Sequence, residues 1–349
     1  MYGVTVNSIR EIESYDDRNF RVKCTVPNSS EEVTYTLKVH NGVDSEVAAF
    51  LESQDAVLRS LHEQDVSVPN PAYEGKFSMV QLPVQDHPEQ RHSHAVRLLN
   101  WVHGVVMSDV ESMPLATLYN AGVFAARMDN ALTSFSHPGA YRTHVWDLQN
   151  MEGVNAFTFA ITDSKLRTNV DAVLADFSTR INPLLQAPAL AQEPACRKQV
   201  LQNDFNDANV VLTNDEKQVS GVLDFGDMCH TFLVNEVAIG MAYAMVGVYA
   251  KQHSNQAGLA AAAVAFYRGF TSILPLQPRE KTVVFGLALC RLAMSATLGA
   301  YARSKAPENE YLGLHATPAI TALELFSDCS PAELECLLDD TVLDLEATA

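Results

Sequence analysis

The sequence predicts an α+β chain of two lobes: a small antiparallel-sheet N-terminal lobe over residues 1–102, and a large, mostly helical C-terminal lobe over residues 103–349. Three observations predict it. Apolar residues in the early segments alternate with period two, around a single helical stretch. From Pro114 onward the spacing turns helical. One region, Gln202 to Asp227, interrupts the helical pattern with polar turns and short apolar runs, and it opens the second half of the chain.

In the first lobe, residues 5–40 read as strands. Arg21 to Val26 follows the polar turn Tyr15-Asp16-Asp17-Arg18-Asn19. In Val33 to His40, the residues Val33, Tyr35, Leu37 and Val39 point one way, and Thr34, Thr36, Lys38 and His40 the other. Lys38 therefore projects from a strand whose opposite face is apolar. Asp44 to Gln64 reads as a helix, with an apolar face of Val47, Phe50, Leu51, Ala56, Val57, Leu58 and Leu61. Two apolar strands follow, Phe77 to Leu82 and Ala95 to Val102, separated by a polar loop holding His87, His92 and His94. His92-Ser93-His94 lacks a third ligand at metal spacing, so these histidines read as surface residues. Gly104 is the expected hinge between the lobes.

In the second lobe, Leu118 to Phe135 reads as a helix with Arg127 and Asp129 on its polar side, ended by Ser136-His137-Pro138-Gly139. Trp146 and Asp147 follow. Either they flank a cationic substrate with a ring face and a carboxylate, or Trp146 packs in the core and Asp147 caps a helix. Residues 163–187 read as helical, and the Pro/Ala-rich Gln186 to Arg197 as a loop. After Asp227 come helices at Val234 to Tyr249, 256–273 and 279–303, with Glu236 near the start of the first, where a carboxylate suits the helix dipole. The run Thr282 to Ala302 has nearly the length of a membrane span, but Arg291 in its middle favours a buried helix. Arg291 then needs a partner, either a structural carboxylate or that of a substrate. Asp339 to Glu346 reads as a solvated acidic tail.

The formal charge of −18 argues against a nucleic-acid backbone as partner and suits small cationic or metal-bound ones. Cys24, Cys196, Cys229, Cys290, Cys329 and Cys336 are scattered without metal-finger spacing, and read as free thiols in a reducing compartment. Met1-Tyr2-Gly3-Val4 is neither basic nor the start of a long apolar core. A cytoplasmic protein is expected, without nucleic-acid or membrane partners.

The chemistry concentrates in two pieces, Gln202-Asn203-Asp204-Phe205-Asn206-Asp207-Ala208-Asn209 and Leu223-Asp224-Phe225-Gly226-Asp227. Between them, Val210-Val211-Leu212 and Val219 to Leu223 flank a polar turn, the pattern of a β-hairpin. Such a hairpin returns Asn209 and Asp224 to one end, where an amide oxygen and a carboxylate suit Mg²⁺ held against phosphates. Kinases share this layout: a catalytic-loop Asp, an Asn five residues on, and the Asp of an Asp-Phe-Gly run. A strand lysine such as Lys38 then gains a reason to bind phosphate.

With these motifs in place, the chain resembles the aminoglycoside phosphotransferase family, of two-lobed protein-kinase-like fold. Within it the likeness is to the branch that acts on 5-hydroxy-L-lysine. The resemblance runs through Ser14 to Phe20, Tyr35 to Lys38, Val96 to Leu99, Phe205 to Asn209, Val219 to Met228 and Pro307 to Leu312. It implies transfer of the γ-phosphoryl of GTP (or ATP), with Mg²⁺, to the 5-hydroxyl of 5-hydroxy-L-lysine. It implies Asp204 as catalytic base, Asn209 and Asp224 as Mg²⁺ ligands, and Lys38 as the phosphate-binding lysine, supported by Glu52 or Gln54. Tyr15, Asp16, Asp17, Arg18 and Asn19 stand where the phosphate loop belongs, and the backbone near Leu99 to Trp101 where the purine contacts belong. Asp227 is placed for a substrate ammonium or a second metal; Trp146, Asp147 and Arg291 are further substrate candidates. The chain departs from the family where Gln202-Asn203 replaces the usual His-Gly. Asn suits a left-handed backbone, and Gln can replace hydrogen bonds of a His. Two other readings remain: a kinase of another amino-alcohol or an aminoglycoside-type acceptor, and a non-catalytic nucleotide-binding module.

Overall fold

The computed structural model describes residues 2–12, 14, 17–26, 31–73, 77–84, 87–191, 193–305 and 316–345. The chain divides into two compact units: Met1–His103 with Phe135–Tyr141, and Gly104–Ser134 with Arg142–Ala349.

The first unit is built on an antiparallel sheet of β1 (Thr5–Ile12), β2 (Arg18–Thr25), β3 (Glu32–Val39), β4 (Ser78–Val84) and β5 (His87–Asn100), in the order β1-β2-β3-β5-β4. Val22, Cys24, Tyr35 and Leu98 form its apolar core on one face. The short α1 (Gly42–Ser45) is followed by α2 (Ala48–Glu63), which buries Phe50, Leu51, Val57, Leu58 and Leu61. The helix expected from Asp44 is broken at Glu46–Val47, and Val47 is exposed. The polar stretch expected as a loop is strand instead: β4 and β5 pair through Gln81↔Ser93, Leu82↔His92 and Pro83↔Arg91. Backbone pairing at a sheet edge needs no apolar side chains, so polarity alone misread it. The segment 135–141 joins this unit because Gly139 lies against α2; a Cβ there would stand 1.9 Å from the Ala49 carbonyl oxygen.

The second unit begins with β6 (Val105–Val106) and α3 (Leu115–Ala131). Gly104 has φ +144°, and a Cβ on it would meet the Leu212 carbonyl oxygen at 2.0 Å, so only glycine fits. A stretch of 3₁₀ turns, Leu148–Ala160, precedes α4 (Ser164–Asp176) and α5 (Asn182–Gln186). Strands β7 (Lys198–Leu201), β8 (Val210–Leu212), β9 (Val219–Val222) and β10 (Cys229–Phe232) then form two small antiparallel groups, β10-β7 and β6-β8-β9. The remainder is helical: α6 (Val234–Gln252), α7 (Gln256–Ile273), α8 (Pro278–Lys305), α9 (Ala316–Phe326) and α10 (Pro331–Asp340). Helix α8 is long and apolar enough to cross a membrane, yet its most apolar stretch is almost entirely buried inside this unit. Asp129, expected on the polar side of α3, is fully buried. The acidic C-terminal segment is tethered at its start and exposed along most of its described length: Lys281 pairs with Asp339 at 2.8 Å, Arg268 donates to the carbonyls of Leu338, Asp339 and Thr341, and Asp340, Val342 and Asp344 are exposed. Pro307 to Leu312 lies outside the described residues.

Candidate active site

The loop after β7 is built from its side chains inward. Asn203 has φ +65°, a left-handed turn that Asn accepts more readily than most residues. Its N–H donates to Glu236 Oε2 of α6 at 2.8 Å, and its Nδ2 to the Asp227 carbonyl at 3.2 Å. Gln202, fully buried, joins the two motif pieces. Its Oε1 accepts the Asp204 N–H at 2.9 Å, and its Nε2 donates to the carbonyls of Leu223 at 3.2 Å and Asp224 at 2.5 Å. Asn206 Oδ1 accepts the N–H groups of Ala208 and Asn209, closing the turn before β8. Asn209 Nδ2 then donates to Asp204, at 3.0 Å to its carbonyl and 2.7 Å to Oδ2.

The expected hairpin is present. Strands β8 and β9 pair, and the Leu223 N–H donates to the Asn209 carbonyl at 2.7 Å, so Asn209 and Asp224 lie side by side. Asp224 has φ +45°, and its Oδ1 accepts the Gly226 N–H at 2.8 Å. A strained backbone at a carboxylate is typical of a site held in a fixed geometry. Asn209 and Asp224 supply hard oxygen donors with the chemistry of a Mg²⁺ site. Among the described residues no three His, Cys, Asp or Glu side chains form a metal-holding group. An amide oxygen and a carboxylate together fit a hard cation that is shared with phosphate oxygens.

Asp204 carries a second clamp. Arg291 of α8, only 1% exposed, donates from Nη2 to Asp204 Oδ1 at 2.7 Å and from Nη1 to the Trp146 carbonyl at 3.0 Å. Its guanidinium lies 4.9 Å from the Trp146 ring centre and 5.4 Å from that of Tyr243. Arg291 thus binds the candidate base and is closed to a substrate carboxylate. Asp147 is likewise not a substrate residue. It is fully buried, caps the 3₁₀ stretch through Gln149, and accepts from Thr231 at 2.7 Å and Asn235 at 3.3 Å.

The electrostatics are dominated by buried carboxyls. Burial, and then the charge of Asp204, push Asp227 well above the usual carboxylate range. His144 Nε2 stands 3.5 Å from Asp227 Oδ1, and burial lowers its pKa to about 4, aided by Arg142 and Arg291. Burial raises Glu236 to about 8, and raises Asp129 well above its ordinary value with the help of Glu236. Glu236 and Tyr243 take part in this site although sequence reasoning gave them no role in it, while Gln202 makes the hydrogen bonds expected of it in place of a His. A glutamate inside an otherwise apolar helix was the one available signal for the first.

The first unit holds the remaining candidates. Lys38 Nζ pairs with Asp17 Oδ2 at 3.0 Å, and both are largely buried. Asp17 Oδ1 also accepts from Asn41, at 2.7 Å from N and 3.0 Å from Nδ2. Glu52 is exposed; the buried polar face of α2 is Gln54 and Asp55, and both take Arg97 of β5, Asp55 at 2.5 Å. Of the two expected helix partners of Lys38, Glu52 is exposed and Gln54 lies on the buried side of α2, and Asp17 adds an ion pair to the lysine. Arg18 and Asn19 belong to β2 rather than to the turn: Arg18 pairs with the exposed Glu11 at 2.7 Å, and Asn19 lies opposite Lys38. Tyr15 and Asp16 lie outside the described residues. Leu99 is buried in β5 opposite Thr36, and Trp101 carries Arg21 over its ring at 4.8 Å.

With this geometry established, comparison with known proteins is decisive at one level. A family model described as "Phosphotransferase enzyme family" matches residues 8–272. The chain belongs to this phosphotransferase family. As a member it is an enzyme that transfers phosphoryl to a hydroxyl acceptor. It is 28% identical to the hydroxylysine kinase of Xenopus laevis over 362 aligned positions, covering 100% of this chain and 92% of the relative. Among solved structures, an amicoumacin kinase in complex with AMP-PNP and Ca²⁺ aligns with a TM-score of 0.63 at 13% identity, over 90% of this chain and 88% of that one. A microcompartment-associated aminopropanol kinase aligns at 0.58 and 15% identity, over 91% and 92%. These likenesses establish a kinase-like fold for the phosphotransferase.

Proposed function

We propose that this phosphotransferase transfers the γ-phosphoryl group of GTP, or of ATP, to the 5-hydroxyl of 5-hydroxy-L-lysine in a Mg²⁺-dependent reaction. The observation that carries the reading is the joined pair of motif pieces: Asp204, Asn209 and Asp224 gathered by Gln202 and the β8–β9 hairpin. The likeness to a hydroxylysine kinase over the whole chain supports the choice of acceptor.

Asp204 orients the acceptor hydroxyl and takes its proton as the phosphoryl group arrives. Asn209 and Asp224 hold the cation, which when bound neutralises charge on the nucleotide phosphates. Lys38 binds phosphate oxygens, held in place by its pair with Asp17, since an ammonium has donors for both. Asp227, half-buried beside Asp204, is placed for an acceptor ammonium, and a dicationic acceptor suits a site with three carboxyl groups. The acidic chain and its free cysteines suit a cytoplasmic enzyme of small molecules.

The test is steady-state turnover of 5-hydroxylysine with GTP and Mg²⁺, beside ATP and a panel of choline, ethanolamine, aminopropanol and an aminoglycoside. The reading expects the largest kcat/KM for 5-hydroxylysine with GTP. A larger value for another acceptor would reassign the substrate, and nucleotide consumption with none of them would refute the enzyme reading.

A further inference from the structure

We infer that Arg291 is a positioning residue of the phosphoryl-transfer centre, which fixes the orientation of the Asp204 carboxylate from outside the motif. The inference rests on the proposed role of Asp204 as the base. Three observations carry it. First, the two oxygens of Asp204 are divided: Oδ1 accepts from Arg291 Nη2 at 2.7 Å and Oδ2 from Asn209 Nδ2 at 2.7 Å. Turning the carboxylate out of that plane breaks a charge-assisted hydrogen bond. Second, the arginine is itself immobilised. It is 1% exposed, tied to the Trp146 carbonyl, and faced by the rings of Trp146 and Tyr243. Third, Nη2, the nitrogen that holds Asp204, also lies 3.5 Å from the Tyr243 hydroxyl, so the contact is braced from α6 as well.

The consequence is a division of labour. Gln202 fixes the backbone of Asp204, while Arg291 and Asn209 fix its side chain. A guanidinium is suited to this because its planar fork serves Asp204 and Trp146 at once; an ammonium serves them less rigidly.

The experiment compares the full-length wild type with Arg291→Lys and Arg291→Gln, each alone and combined with Asp204→Asn. Turnover and thermal midpoint are both read. The inference expects Arg291→Gln to lower kcat by on the order of 10²-fold, with nucleotide KM within about twofold of wild type. Arg291→Lys should fall between the two. On the Asp204→Asn background neither substitution should lower the residual rate further, because the group it positions is gone. If Arg291→Gln does not fold, Arg291→Lys alone carries the same comparison. A kcat near wild type in the folded variants would overturn the inference, and so would an equal fall on both backgrounds. A wild type that turns over no acceptor counts against the functional reading instead. The midpoints then decide: the loss caused by Arg291→Lys must shrink when Asp204 is Asn, and equal losses overturn the inference.

Discussion

Gln202 shows how a single side chain can replace what a different residue type supplies. Where the family commonly has a histidine, this amide spans the gap between Asp204 and Asp224 with one acceptor and two donated contacts. Gln202→Ala leaves the Asp204 N–H and two carbonyls to find other partners in a closed site. The loss of buried hydrogen bonds should cost roughly 1–3 kcal/mol of stability, read as a lowered midpoint, together with a fall in kcat. Gln202→His should recover part of both, since a ring nitrogen can serve each side. Unchanged kcat in Gln202→Ala would show that the bridge does not set the geometry of the base. The gathering of Asp204, Asn209 and Asp224 was legible in the sequence, because the spacing of the two motif pieces and the hairpin pattern between them return these residues to one end. The partners of Gln202 were legible only as a capacity, because they stand 21 and 22 residues away. Arg291 was legible as a buried charge in need of a partner, and its partner was not, since no local pattern links α8 to residue 204.

At the scale of elements, hairpin and helix positions followed from period and turn chemistry, while buried polar faces did not. Asp129 and Glu236 read as solvated or dipole-favoured carboxyls, yet both are fully buried. Nothing in the sequence separated Gln54, which is buried, from the exposed Glu52 on the same helix. Burying Glu236 has a consequence with a definite sign. Its folded pKa is raised to about 8 by burial, so between the ordinary glutamate range and pH 8 the folded state holds a proton that the unfolded state has lost. Stability from this group is therefore full at low pH and falls as pH rises toward 8, by on the order of a few kcal/mol in total. Glu236→Gln keeps an acceptor for the Asn203 N–H and removes the titration. Denaturant unfolding of both proteins from pH 5.5 to 9 should show the wild type losing stability relative to the variant as pH rises. A constant difference would show that Glu236 ionises normally in the fold.

For the whole molecule, composition and period were enough to separate a sheet-built first unit from a helical second one, and to keep α8 out of a membrane. They could not show the start of the C-terminal segment tethered by Lys281 and Arg268, because an acidic sequence looks the same whether or not cations elsewhere meet it. Nor could they place residues 135–141 with the first unit, which depends on the close approach of Gly139 to α2. What unifies the molecule is the claim that Asp204 serves phosphoryl transfer. Asp204→Asn tests it most directly: it keeps the size of the side chain and an oxygen for Arg291, and gives up the base together with the hydrogen bond from Asn209 Nδ2. With wild type and variant compared for nucleotide affinity and for turnover, nucleotide binding should be retained while kcat falls by on the order of 10²–10⁴-fold. A variant that keeps wild-type turnover, or that loses nucleotide binding with it, would contradict the assignment of Asp204 as the catalytic base.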